Sequence, residues 1–153
     1  MAPPSRGGPG SPYDRTKLYR RIHDRLATVA VFSNVRYEPS RTRPRRVIAD
    51  VDPGAFLDEA SPASDARLEI EFLFRPDADH YWIQWIEPDR DFSCGWHQDE
   101  THPDLGPCHF QGERPDGSTT RQSAAVLDAH PLQVIERRLE DLPGKLRSID
   151  DGR

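Results

Sequence analysis

The side chains best suited to chemistry crowd into residues 92–111, FSCGWHQDETHPDLGPCHFQ. This stretch holds three of the six histidines (His97, His102, His109), both cysteines (Cys94, Cys108) and the acids Asp99, Glu100 and Asp104. Two imidazoles close to carboxylates can divide acid and base roles near neutral pH. Without a metal, such a pair can move a ribose 2′-hydroxyl proton while an arginine balances the phosphate charge. Arg43, Arg45, Arg46 and Arg90 are the candidates for that arginine.

Strand alternation decides where these groups point. The stretch reads as a hairpin with a long polar loop at residues 98–107. If Cys94, Trp96, Cys108 and Phe110 face the core, His97 and His109 have the opposite parity and share the open face. That phase assigns His97 and His109 as acid and base, with Asp99 orienting one of them. His102 precedes Pro103 and is restricted to extended backbone; with Asp104 it shapes the loop. A zinc site is the alternative, because Cys94, His97, His102, Cys108 and His109 are all competent ligands within sixteen residues. Against it, Cys94 and His97 fall on opposite sides of one strand, and paired CxxC units are absent. Trp82 and Trp85 also point to opposite faces, so one of them can stack a base. His80 and His130 suit structural positions at a strand start and a helix entry, and His23 a helix surface.

The elements that must carry the loop are legible by period. Residues 1–11, MAPPSRGGPGS, have little to bury and are expected as a disordered leader. Ser11 and Pro12 then suit a helix start. Leu18, Ile22, Leu26 and Val29 recur at helical spacing, which predicts an amphipathic helix over 13–29. Residues 29–37 and 47–51 lean towards strand, 67–74 alternate cleanly, and 80–87 are apolar on both faces, as suits a central strand. Residues 112–121 read as a polar loop. Leu132, Ile135, Leu139 and Leu142 mark a closing helix that Pro143-Gly144 should end. The expectation is a single α+β domain over 12–145: an antiparallel sheet of about five strands, an N-terminal and a C-terminal helix, and a polar tail at 146–153.

Composition narrows the class. The 153 residues carry a net charge of -5, with Lys17 and Lys145 the only lysines among 21 basic residues. An acidic chain argues against non-specific coating of DNA, although the arginines of RTRPRR form a local basic patch. No stretch approaches the roughly 20 apolar residues of a membrane span, and no secretory signal is evident. The expected compartment is therefore the cytoplasm, where two cysteines stay free or bind metal.

The stretch 96–109, WHQDETHPDLGPCH, followed by His130-Pro131-Leu132 and a closing helix, resembles the TumE-like family of prokaryotic toxin components. That family's signature is an aromatic, an acid, a His-Pro-acid-aliphatic run and a Pro-His-His element. Trp96 matches the aromatic, His102, Pro103, Asp104 and Leu105 match the run, and Pro107 and His109 match the last element. Gly95 stands where an arginine is usual, His97 where the acid is, and Cys108 where the first histidine of the last element is. The resemblance implies a small helix–sheet–helix toxin of a type II-like toxin-antitoxin module. It also implies a cognate helix-turn-helix antitoxin as partner, RNA as substrate and ribonuclease-like activity. Together these give the leading reading, a metal-independent ribonuclease. The competing reading is a non-catalytic binding protein with a zinc-stabilised Cys/His loop.

Overall fold

The computed structural model describes the backbone of residues 14–151 and the side chains of 14–149. The expected leader and the Ser11-Pro12 helix start lie outside those residues. Helix α1 (Arg15–Ala27) is capped by Asp14, whose carboxylate accepts from the Lys17 amide at 3.1 Å. Leu18, Tyr19, Ile22 and Leu26 form its buried face. Tyr19 also fixes the helix to the sheet, donating to the Arg45 carbonyl at 2.6 Å and accepting from the Phe72 amide at 2.9 Å. Val29, expected to close the apolar stripe, lies past the end of the helix and is 40% exposed.

Seven strands form one antiparallel meander in chain order: β1 (Phe32–Glu38), β2 (Arg46–Val51), β3 (Ala66–Phe74), β4 (Asp79–Glu87), β5 (Phe92–Gln98), β6 (Cys108–Glu113) and β7 (Thr119–Ser123). The α+β class holds, while the strand count exceeds the expected five. Part of the excess is β7, which begins inside the segment read as a polar loop. All five of its residues are exposed, so it is an edge strand without the alternation that marks a buried face. The Asp52-Pro53-Gly54 turn opens a short helix α2 (Pro53–Leu57), with Asp52 accepting from the Ala55 amide and Leu57 buried.

One face of the sheet carries the core. Val47, Ala49, Leu68, Ile70, Phe72, Tyr81, Ile83, Trp85, Cys94, Trp96, Cys108 and Phe110 are all buried there, against α1 and α3 (Pro131–Asp151). Helix α3 overturns the expected stop at Pro143 and the expected tail from 146. Proline removes one backbone donor, yet the apolar stripe runs on: Leu142, Leu146 and Ile149 are all buried. Their burial keeps the chain helical through the interruption.

The same helix buries Arg138, which is 4% exposed. Its guanidinium donates to the Tyr81 hydroxyl at 2.9 and 3.2 Å, to Cys108 Sγ at 3.4 Å and to the Ala125 carbonyl at 2.7 Å. It also lies 5.3 Å from the Trp96 ring centroid. Burial pushes both the Tyr81 phenol and the Cys108 thiol above their ordinary ranges.

Candidate functional site

The opposite face of the sheet is polar and assembles the histidines. Trp82 pairs with His97 across β4 and β5, His97 with His109 across β5 and β6, and His109 with Ser123 across β6 and β7. These four side chains therefore form one row on the side of the sheet away from α1 and α3. The His97 and His109 ring centroids are 5.2 Å apart at 67°. His102 comes over the row from the loop, its ring 4.9 Å from that of His109 at 83°.

The loop that delivers His102 is held by Asp99. Its Oδ1 accepts from the Thr101 amide at 3.1 Å and the Thr101 hydroxyl at 2.6 Å, while Oδ2 accepts from the Trp82 indole at 3.1 Å. The Asp99 amide closes the loop onto the Pro107 carbonyl at 3.1 Å. Burial alone would raise the Asp99 carboxyl, but the Thr101 and Trp82 hydrogen bonds outweigh it and hold the group below the usual range. Asp99 was expected to orient a histidine; its hydrogen bonds instead fix the loop and the indole. Asp104 lies in a short 3-10 turn (Pro103–Leu105), exposed to solvent.

The phase argument placed both imidazoles on an open face. The pair and the face are as expected, but His109 is only 1% exposed. His97 beside it and His102 above it close the ring off; parity specifies the side of a sheet, not what covers it. His97 remains half-buried. Burial, and then the neighbouring His109, push its pKa down to about 4, against the pull of Asp99 and Glu113. At neutral pH His97 is therefore an uncharged imidazole, and its buried Nε2 has no hydrogen-bond partner among the described residues.

A hydrogen-bond chain sets the His109 tautomer. Gln111 donates through Nε2 to the Glu113 carboxylate at 2.9 Å, and its Oε1 accepts from Arg121 Nε at 2.9 Å. Both partners force the same amide orientation, since a carboxylate only accepts and a guanidinium only donates. His109 Nε2, 3.3 Å from that oxygen, must carry a hydrogen. In the neutral ring this leaves a lone pair on the buried Nδ1, which has no partner among the described residues.

Arg121 is the site residue that sequence reasoning missed. It sits on β7, on the same face as the row, two residues before Ser123. The alternation of Thr119, Arg121 and Ser123 was its only signal. Of the arginines considered earlier, Arg90 is paired with Glu87 at 2.8 Å. Arg46 is paired with Glu69 and Glu71, both at 3.3 Å.

The five-residue zinc set is not brought together. Cys94 and Cys108 are buried on the helix-covered face, with the sheet between them and the three imidazoles. Among the described residues, no three His, Cys, Asp or Glu side chains are grouped to hold a metal ion. No helix among them is long and apolar enough to cross a membrane.

Gly95 marks a close approach of two strands. A Cβ at this position would lie 2.2 Å from the Ile83 carbonyl oxygen and 2.8 Å from Gln84 Cα. The backbones of β4 and β5 approach too closely for an arginine, or for any side chain, to stand there. No protein-family model matches the chain, and no curated protein or solved structure is significantly similar to it. None of these comparisons supports the TumE-like resemblance.

Proposed function

We propose that this protein is the toxin component of a type II-like toxin-antitoxin module, acting as a metal-independent ribonuclease and held in check by a cognate helix-turn-helix antitoxin. The observation that carries the reading is the row Trp82–His97–His109 with His102 over it: an indole, then a neutral imidazole, then two more imidazoles in ring contact. A neutral His97 accepts the 2′-hydroxyl proton at pH 7, as a general base must. The 2′-oxygen then attacks the adjacent phosphorus, and the 5′-oxygen leaves with a proton from His102. His109, lying against both rings, positions them. Arg121 offers its charge to the phosphate, and Trp82 a stacking surface to the base.

Purified protein incubated with RNA in excess chelator should leave 2′,3′-cyclic phosphate and 5′-hydroxyl ends. His97→Ala should remove that activity, and should relieve the growth arrest caused by expression. Cleavage that needs an added divalent ion, or that survives His97→Ala, would refute the mechanism. The closure of His109 favours a second reading, a non-catalytic nucleic-acid-binding protein using Trp82. Retained RNA binding with no cleavage under any condition would select it.

A further inference from the structure

Beside the histidine row, the same face holds a cleft of about 140 Å³ lined by Arg46, Glu69, Glu71, Trp82 and Gln84. It is well below the several hundred Å³ of a typical drug-sized site and suits a single planar ring system. Its walls are uneven in chemistry. Trp82 supplies an aromatic wall whose nitrogen is already engaged by Asp99, so the indole is fixed before any ligand arrives. Glu69 is held by two arginines, Arg46 at 3.3 Å and Arg67 at 2.9 Å. Among the described residues Glu71 pairs with Arg46 alone, through Oε1 at 3.3 Å, and its side chain is 23% exposed. One carboxylate oxygen and the edge of a guanidinium therefore stand next to each other at the rim of an aromatic slot.

We propose that this cleft is a guanine-binding subsite: the base stacks on Trp82, Glu71 accepts from N1–H and the N2 amino group, and Arg46 donates to O6. The donor and acceptor patterns select the base. Guanine alone presents two adjacent donors beside an acceptor on its pairing edge, matching carboxylate plus guanidinium. Adenine turns an unprotonated N1 towards the carboxylate. Cytosine offers one donor group next to two acceptors, and uracil one donor between two acceptors. Register supplies the connection to the chemistry. Glu71 pairs with Trp82 and Trp82 with His97, so base edge, ring and proton acceptor lie on successive strands about 4.8 Å apart. A nucleotide laid along that row carries its ribose to His97. This alignment rests on the ribonuclease reading; recognition of the base does not.

The test uses the full chain and two readouts. The first is cleavage of DNA oligonucleotides carrying one ribonucleotide, A, C, G or U. The second is binding of guanosine and adenosine 3′-monophosphates, followed by tryptophan fluorescence; Trp85 and Trp96 are buried, so Trp82 dominates the response. The ribo-G substrate should be cleaved, and the guanosine nucleotide bound, about tenfold or more better than the others, as expected for one good bidentate contact. Glu71→Gln should bring guanine down to the level of adenine, and Trp82→Phe, which keeps a stacking ring, should retain the preference. Cleavage without base preference, or a preference that survives Glu71→Gln, overturns the subsite and leaves the nuclease standing. Glu71-dependent guanosine binding without cleavage supports the subsite and removes the nuclease. The absence of both a binding preference and cleavage overturns the proposal.

Discussion

His97 makes the folded protein sensitive to acid in a window set by one ring. In the unfolded chain the imidazole takes a proton near its ordinary value of 6.5; in the fold it resists until about 4. Between those values the unfolded chain binds the extra proton, so stability must rise with pH. The contribution is complete above 6.5 and is lost as pH falls towards 4. A gap of about 2.5 pH units at about 1.36 kcal/mol each corresponds to about 3 kcal/mol. Roughly two-thirds of it is expressed between pH 7 and 4.5, and solvent screening of a half-buried ring trims this to about 1–2 kcal/mol. Asp50 and Asp99 also lose stability in acid, but through folded values below the ordinary carboxylate range, and so at lower pH. His97→Gln separates the two effects. Urea unfolding of both proteins from pH 7.5 to 4.5 should show the wild type losing about 1–2 kcal/mol more than the variant. The same ring should place the acid limb of the cleavage rate near pH 4 to 5. Parallel stability curves for the two proteins would mean that burial does not hold His97 neutral, and the assignment of a ready base at pH 7 would fall with it.

Other perturbations test the frame around the site. Gly95→Ala should cost more than about 3 kcal/mol or abolish folding, because its Cβ would meet the Ile83 carbonyl at 2.2 Å; near-native thermal stability would refute the close approach. Arg138→Met removes the donors to Tyr81 and Cys108 and orphans the Ala125 carbonyl. It should lower stability in urea by about 2–4 kcal/mol, and an unchanged midpoint would show that the guanidinium is dispensable. Truncation after Lys145 deletes the buried Leu146 and Ile149 and should cost about 3–5 kcal/mol; a polar tail there would have been neutral. Cys94 and Cys108 are both buried, and burial raises the Cys108 thiol. Neither should react with a thiol reagent until the protein unfolds, and fast native-state labelling would contradict their placement.

How much of this could be read in advance follows from where each signal comes from. The period-2 phase through Cys94, Trp96 and His97 is a local property of one strand, and it correctly put the thiols and the imidazoles on opposite sides of the sheet. What covers a face is not local. His109 is closed in by His97 on the paired strand, twelve residues before it, and by His102, which only the fold of residues 99–107 brings there. Asp99 was expected to orient a histidine, but its hydrogen-bond donors are Thr101, two residues on, and Trp82 on another strand. Edge strand β7 gave no apolar signal because it buries nothing, and Arg121 was lost with it. Pro143 shows the reverse, a strong local signal overridden by tertiary burial of Leu146 and Ile149. Arg138 was in principle readable. It lies three residues after Ile135 and four before Leu142, inside the buried stripe, where a charge must find partners or destabilise the helix. An arginine at a core position of an otherwise regular stripe implies an acceptor on the facing sheet, and Tyr81 on the central strand is that acceptor.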